Sequence, residues 1–354
     1  MMNANRDRET TGAGTASRSP VRILIACAAA VVALMGIHLA RSIVTPLLLA
    51  LVLVITVEPV RRRLIDRSVP RWIAAAAVIA TAWTVLIALI VLGVMIVGMF
   101  TQVLETHATE IAQSQQDITD FLELLGLTHG VEGLFTDWLS PQSAVLLASR
   151  VTLALAEVVL AFAFVLMYVV FLTLDAPRVD RIAAEFGHRR AALLDSLRAY
   201  AGSVRRFMLV NTVFGAIVAV LDGLLLWALG VPAPLAWAVL AFVTNYIPSV
   251  GFLIGLAPPA ILACVLIDWQ TGLIVIAIYC VINVVLQTFV QPRFVSRAVQ
   301  LNLTITFLSV VFWVLVLGPI GAVLAVPMTL LVRTFLIDAS PESKFARWVT
   351  GDER

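Results

Sequence analysis

Long apolar stretches alternate with short polar ones along nearly the whole chain. Several of the apolar stretches exceed the roughly 18 residues that distinguish a membrane-spanning helix from a buried helix of a water-soluble protein. Eight stretches are found, at residues 21–40, 43–57, 72–100, 150–174, 207–230, 235–267, 272–290 and 303–337. The pattern predicts an all-α, polytopic helical membrane protein with about eight hydrophobic segments.

The overall composition supports a membrane environment. Of the 354 residues, 61% are hydrophobic and only 13% are charged, and the mean hydropathy is +1.01. Water-soluble domains carry about 25% charged residues. The bilayer is therefore the expected surrounding of most of the chain, and the small net charge of +2 gives no indication of a nucleic-acid partner.

Arginine is unevenly distributed among the polar stretches. Residues 1–20, 58–71 and 175–206 are rich in arginine, whereas 101–149 contain no lysine or arginine and are acidic. Because basic loops remain in the cytoplasm, both termini are predicted to be cytoplasmic and the acidic loop to lie outside. The predicted organisation is a disordered N-terminus (1–20), segments 1–3 (21–100), an acidic helical outer loop (101–149), segment 4 (150–174), a basic helical connector (175–206), segments 5–8 (207–337) and a cytoplasmic tail (338–354).

The outer loop contains an amphipathic pattern. Ile111, Ile118, Leu122 and Leu125 fall on one face of a predicted helix. Two interpretations remain open for this face, namely assembly with a neighbouring subunit and packing on the protein's own membrane domain.

Two hydrophobic segments are interrupted by proline and glycine. The sixth contains Asn245-Tyr246-Ile247-Pro248-Ser249-Val250-Gly251 and then Pro258-Pro259, and the eighth contains Gly318-Pro319-Ile320-Gly321 and then Pro327. Proline removes a backbone donor, and unpaired backbone groups at membrane depth are tolerated only beside protein or a water-filled cavity. Interrupted segments in two parts of a chain indicate a binding site made of half-helix ends. The predicted substrate-binding residues in these breaks are Asn245, Pro248, Ser249, Gly251, Gly318, Pro319 and Gly321.

The breaks allow two architectures. If both segments fold back as re-entrant hairpins, Arg293, Arg297 and the C-terminal tail lie in the cytoplasm, as the arginine distribution favours. In the alternative, the prolines only kink ordinary spanning helices.

Asp222 is the acidic residue placed deepest in an apolar segment. A charged side chain at that depth is costly unless it is paired or hydrated. Asp222 is therefore a candidate ion-coupling group for protons or cations. The alternative is a structural carboxylate bonded to a neighbouring helix, such as that of Asn211.

A stripe of amides marks the seventh segment. Asn283, Gln287 and Gln291 are spaced four residues apart and share one helix face. Together with Asn245 they are predicted to line a substrate cavity. The alternative is hydrogen bonding between packed helices without contact to a substrate.

Several chemistries are not supported by the sequence. It has no Walker A motif, no His-Glu-x-x-His zinc site and no Gly-x-Ser-x-Gly elbow, and its four histidines are scattered. Its three cysteines lie in apolar stretches, where a thiol behaves as a small hydrophobe. No catalytic residue, metal site or cofactor is predicted, and the chain is not expected to be an enzyme.

Several passages of the chain form a set by their order and spacing. They are Thr45-Pro46 to Ala50 running into Glu58-Pro59 to Arg63, the Asn245–Gly251 break with Pro258, Gln291-Pro292-Arg293, and Gly318-Pro319-Ile320-Gly321 to Pro327. Together they resemble the autoinducer-2 exporter (AI-2E) family of bacterial permease-like proteins. Glu58 stands where an asparagine-like residue is expected, and Asp222 matches no hallmark of the family. The resemblance implies a multi-pass protein of the bacterial cytoplasmic membrane that assembles as a homo-oligomer, with a pentamer expected.

The resemblance also limits the choice of function. Members are linked to export of autoinducer-2 or to exchange of sodium or lithium for protons. We expect export of a small polar solute by alternating access, driven by an ion gradient, as no nucleotide site exists in the sequence. The alternatives are a Na⁺(Li⁺)/H⁺ antiporter that depends on Asp222 and a non-transporting membrane scaffold or regulator.

Overall fold

The computed structural model describes residues 20–106, 161–178, 181, 185, 191–248, 250–294 and 302–335. These residues form helices and no strand. The helices are α1 (Pro20–Leu39), α2 (Arg41–Asp66), α3 (Arg71–Thr106), α4 (Ala161–Arg178), α5 (Ala191–Ala228), α6 (Pro234–Thr244), α7 (Gly251–Leu266), α8 (Trp269–Asn283), α9 (Leu303–Leu317) and α10 (Ile320–Arg333). The predicted all-α architecture is confirmed, whereas the amphipathic outer helix lies outside the described residues.

Within the described part of the chain, five helices are long and apolar enough to cross a bilayer. They are α2, α3, α4, α5 and α8, and α9 with α10 makes a sixth if the bent pair is counted as one span. The predicted count of eight is therefore approximate, because it included shorter apolar helices. The second segment gains length from its polar end, since α2 continues to Asp66 and reaches 26 residues.

The longest helix, α5, organises the described fold. It runs unbroken for 38 residues and begins at Ala191, inside the stretch predicted as a connector. Its first half packs against α10 in a buried cluster that includes Tyr200, Val204 and Phe207. Its second half contributes Leu226 to a separate cluster with α7 and α8. Different halves of α5 thus support the two interrupted segments.

The first interrupted segment folds back on itself as a helical hairpin. Along α6, Ala238 packs against Gly223 and Asn245 packs against Gly215, so α6 runs antiparallel to α5. Gly251 then abuts the Thr244 carbonyl, and α7 returns beside α6. A kinked spanning helix would carry α7 away from α6 instead. We call α6, residues 245–250 and α7 the first hairpin, and residues 245–251 its tip.

The second interrupted segment bends more sharply than a right angle. The axes of α9 and α10 differ in direction by 116°, and Gly318 at the bend has φ = 80°, a conformation that favours glycine. Gly321 abuts the Trp313 carbonyl, and Trp313 Nε1 donates a hydrogen bond to Thr329 Oγ1 at 3.0 Å. We call α9 and α10 the second hairpin.

The break in the second hairpin releases carbonyl groups at the end of α9, and the N-terminal helices bind them. Thr45 Oγ1 of α2 donates to the Leu317 carbonyl at 3.0 Å. His38 Nδ1 of α1 lies 2.8 Å from the Leu315 carbonyl. The last carbonyls of a helix have no partner within the helix, so these side chains satisfy groups that the bilayer cannot.

A third released carbonyl attaches α5 to α2. Pro59 has no N–H, so the Ile55 carbonyl one turn earlier loses its usual helical donor. Arg205 Nε of α5 donates to that carbonyl at 3.2 Å. Nearby, Glu58 forms ion pairs with Arg61 at 2.7 Å and with Arg62 at 3.2 Å. The charged end of α2 is thereby joined to the first half of α5.

Two exposed tryptophans lie together at one end of α5 and α8. Trp227 near the end of α5 and Trp269 at the start of α8 are 71% and 65% exposed. Tryptophan is enriched at the membrane–water interface. Since α8 is antiparallel to α5, both rings lie at the same end, away from the arginines of α2.

Adding a methyl group at Gly321 should destabilise the second hairpin. The Cβ of Gly321→Ala would overlap the Trp313 carbonyl, and we expect a loss of about 1–3 kcal/mol, typical of overpacking. The apparent melting temperature of the detergent-purified protein measures this loss. Gly202→Ala on α5 is the matched control, because its Cβ meets no atom within 4 Å. Equal stability of the two variants would contradict the close packing.

Replacing Arg205 should cost more stability when Pro59 is present than when it is replaced. Arg205→Leu leaves the Ile55 carbonyl without its donor, at an expected cost of about 1–3 kcal/mol. Pro59→Ala restores a backbone N–H, so Arg205→Leu should cost less in that background. A double-mutant cycle on melting temperature measures this difference. Additive effects of the two substitutions would show that the carbonyl is not what Arg205 satisfies.

Candidate functional site

Five amide side chains meet where the tip of the first hairpin touches α5 and α8. Gln287 Nε2 donates to Asn245 Oδ1 at 3.0 Å and to Asn283 Oδ1 at 2.9 Å. Gln291 Nε2 donates to Asn211 Oδ1 at 2.8 Å, and Asn245 Nδ2 donates to the Asn211 carbonyl at 3.3 Å. We call these five residues the amide network. It joins three elements far apart in the sequence at one place along α5.

Local helix geometry places the amides of α8. Beyond Asn283 the helix continues with π-type hydrogen bonding over Val284–Val290 and ends in a short 3₁₀ turn at Gln291–Arg293. We count this continuation as part of α8. π-helical turns are rare and occur frequently at functional sites. Asn283 remains in regular helix, where its Nδ2 donates to the Tyr279 carbonyl at 2.9 Å. The π turn thus carries Gln287 between the hairpin tip and Asn283.

The end of α8 is also fixed to α5. Arg206 Nε donates to the Phe294 carbonyl at 3.0 Å, and the Phe214 and Phe294 rings pack with centroids 5.6 Å apart. These contacts lie next to the bond between Gln291 and Asn211. The network therefore has one stable side, formed by α5 and α8, and one side that belongs to the hairpin tip.

A small cavity adjoins the network on the side towards the second half of α5. It has a volume of about 10 Å³, close to the minimum that holds one water molecule. Its walls come from α5, α6, the hairpin tip, α7 and α8. The lining residues are Val218, Asp222, Ala241, Thr244, Asn245, Phe252, Gly255, Tyr279 and Asn283.

Asp222 lies in the wall of this cavity and is only 1% exposed. Neither carboxyl oxygen has a hydrogen-bond partner among the described residues, and the same holds for the Tyr279 hydroxyl, in a residue also 1% exposed. Asn211, considered above as a partner for Asp222, instead binds Asn245 and Gln291. No cluster of three or more His, Cys, Asp or Glu side chains that could hold a metal ion occurs in the described ranges.

The structure brings together only some of the predicted site residues. Asn245, Asn283, Gln287 and Gln291 meet in the network, and Asp222 lies beside it. Pro248 and Gly251 belong to the hairpin tip, and Ser249 lies outside the described residues. Gly318, Pro319 and Gly321 form the separate bend of the second hairpin and make none of the hydrogen bonds described for the network.

The tip of the first hairpin packs on an apolar cluster to which the second hairpin also contributes. Tyr246 and Ile247 of the first hairpin tip pack against the buried cluster that contains Leu317 and Ala322 of the second. Tyr246 is also bound by Thr212 of α5, with 2.7 Å between the hydroxyl oxygens. The first hairpin tip therefore packs on a cluster formed jointly by α2, α5 and the second hairpin.

Sequence reasoning missed three members of the site. Thr244 and Tyr279 line the cavity, and Asn211 is a full member of the network. Asn211 stands beside Thr212 and Thr244 beside Asn245 within apolar runs, and Tyr279 lies in the apolar run of α8. A polar side chain inside an apolar segment was the sequence feature that pointed to the site. Asn211 and Tyr279 have this feature as much as Asn245, Asn283 and the two glutamines do.

Comparison with known proteins agrees with this architecture. Residues 27–340 match the model of the AI-2E family transporter. The chain is 26% identical to the AI-2 transport protein TqsA of Escherichia coli K12, over 89% of this chain and 92% of that protein. It is 27% identical to a putative transport protein of Haemophilus influenzae, over 92% and 95% of the two chains. The putative transport protein YhhT of Escherichia coli K12 is 26% identical over 93% and 94%.

These relatives are named as transport proteins, which agrees with a role other than enzymatic catalysis. The match covers most of the chain, including both hairpins and the amide network. This multi-pass membrane protein belongs to the AI-2E family of transporters.

Proposed function

We propose that this chain exports a small polar solute similar to autoinducer-2, and that the solute binds where the first hairpin meets α5 and α8. The observation that carries the proposal is the amide network at the hairpin tip. Uncharged amides both donate and accept hydrogen bonds, which suits a neutral cargo with several hydroxyl groups. TqsA, a relative over most of the chain, is named as an AI-2 transport protein.

The strength of the network suits a contact that must open. Side-chain hydrogen bonds between membrane helices are worth about 0.6 kcal/mol on average. Three such contacts join the network across different elements, so cargo hydroxyls can replace them at a modest cost. The adjoining cavity has room for about one water molecule. Cargo binding therefore requires the hairpin tip to separate from α5 and α8.

The proposal includes alternating access, which the short arms of the first hairpin support. The first hairpin has arms of about 17 and 24 Å, each shorter than a bilayer core of about 30 Å. A tip that ends within the membrane can expose a site to one side and then to the other. An ion gradient would drive the cycle.

The proposal places the protein in the bacterial cytoplasmic membrane with both termini in the cytoplasm. The arginine distribution supports this orientation. A homo-oligomer, with five subunits expected from the family resemblance, completes the proposal. Single-particle mass measurement after extraction in native nanodiscs tests the subunit number.

Gln287→Leu should lower solute export at least tenfold, because the cargo loses an amide at the centre of the network that would donate and accept hydrogen bonds. Flux is measured in proteoliposomes loaded with autoinducer-2 under an imposed proton gradient. Gln270→Leu is the matched control, since Gln270 lies exposed on the same helix and outside the network. Its flux should stay within about twofold of the wild type. Normal export by Gln287→Leu would exclude the network as the cargo site.

A Na⁺(Li⁺)/H⁺ antiporter is the second candidate, and the burial of Asp222 favours it. In that case Asp222→Asn should abolish sodium flux, because the remaining cavity-lining groups carry no negative charge. Uptake of radioactive sodium into proteoliposomes under a proton gradient provides the measurement. Asp195→Asn is the control, since Asp195 is exposed and pairs with Arg198. Sodium flux that persists in Asp222→Asn would exclude this mechanism.

A further inference from the structure

We propose that the cavity between α5 and the first hairpin is a proton site, in which Asp222 carries a proton in the arrangement described and its release loosens the hairpin tip. The role of this site in coupling transport to protons rests on the proposed function. The protonation of Asp222 depends only on the residues that line the cavity. One proton is held or released at a single carboxyl group.

The surroundings of Asp222 favour the neutral acid. The carboxyl group is 1% exposed, and neither of its oxygens accepts a hydrogen bond from a described residue. An isolated ionised carboxylate in an apolar interior is far more costly than the protonated acid. A positively charged side chain could offset that cost, but no Lys, Arg or His lines the cavity.

Every element that packs around the cavity bears on this point. Val218 of α5, Ala241 and Thr244 of α6, and Phe252 and Gly255 of α7 carry no titratable group. At the hairpin tip Asn245 is neutral. On α8, Asn283 is neutral and Tyr279 is the one titratable neighbour among the lining residues. The charge at this site is thus set by Asp222.

Loss of the proton would change the demand for hydrogen-bond donors. A carboxylate only accepts hydrogen bonds, whereas the protonated acid also donates one. The lining donors are the hydroxyls of Tyr279 and Thr244 and the amides of Asn245 and Asn283. The Tyr279 hydroxyl has no partner among the described residues and is available without cost to another bond.

The remaining donors are already engaged. Thr244 Oγ1 donates to the Leu240 carbonyl at 2.9 Å and Asn283 Nδ2 to the Tyr279 carbonyl at 2.9 Å. Asn245 Nδ2 donates to the Asn211 carbonyl at 3.3 Å.

The bond from Asn245 is the longest of these, so in the proposal Asn245 turns towards the ionised Asp222 and gives up the Asn211 carbonyl. That change removes one of the two described hydrogen bonds that hold the hairpin tip to α5, the other being the bond between Tyr246 and Thr212. Ionisation of Asp222 and opening of the amide network are therefore linked, and the proton passes to water as the tip separates.

Infrared spectroscopy of the protein in lipid nanodiscs tests the protonation. At pH 7 an aspartate in water is more than about 99% ionised, whereas Asp222 should contribute a protonated-carboxyl C=O band that Asp222→Asn removes. Tyr279→Phe should retain the band and shift its frequency. Absence of any band that depends on Asp222 would overturn the proton site. Sodium added at constant pH should leave the band in place, and its loss would assign the cavity to a cation instead.

Hydrogen–deuterium exchange tests the link to the hairpin tip. After correction for intrinsic rates, exchange in a peptide covering 244–251 should rise about tenfold per pH unit while Asp222 remains mostly protonated. In Asp222→Asn it should stay low at all pH values. A peptide covering 317–321 is the internal control, because the bend of the second hairpin does not line the cavity. Exchange at 244–251 that is independent of pH would overturn the linkage.

Neither measurement uses a cargo, so the two proposals fail separately. A protein with both responses but no flux would refute solute transport and leave the proton site intact. Solute flux with an ionised Asp222, or with a hairpin tip insensitive to pH, would refute the proton site and leave the transport proposal standing.

Discussion

The fold depends on one constraint, that a backbone group released by a helix break inside a bilayer must find its partner within the protein. Side chains from elsewhere in the chain meet this need at Pro59 and at the bend of the second hairpin. Arg205 binds the carbonyl released by Pro59, and Thr45 binds the last carbonyl of α9. At the first hairpin, amide side chains hold the tip against α5 and α8. Interrupted helices therefore determine which elements lie together.

The breaks themselves were readable from the sequence, because proline and glycine act on the local backbone. The Asn245–Gly251 break and the bend at Gly318 both occur where these residues predicted them. The partners of the breaks were not readable in the same way. Asn211 and Gln291 are 80 residues apart and meet only after α8 folds back along α5. Spacing along one helix identified the α8 amides, but no local pattern shows which distant residue an amide will face.

The start of α5 shows a different limit of sequence reasoning. Hydropathy placed a boundary at residue 206, because the arginines before it resemble a cytoplasmic loop. In the structure, Arg205 and Arg206 remain helical and use their guanidinium groups on the carbonyls of Ile55 and Phe294. A basic residue near a membrane boundary can thus belong to the packed helices. Its charge fixes orientation while its donors fix neighbouring elements.

The bonds from α1 and α2 to the second hairpin also have a consequence for biosynthesis. His38 and Thr45 are separated from their carbonyl partners by 277 and 272 residues. Contacts between such distant parts of a chain form late, because the intervening segments must be made and inserted first. The N-terminal helices must therefore remain in the membrane while these polar side chains lack their carbonyl partners, until α9 has been synthesised. The bend of the second hairpin would be the last part of the described fold to become stable during synthesis.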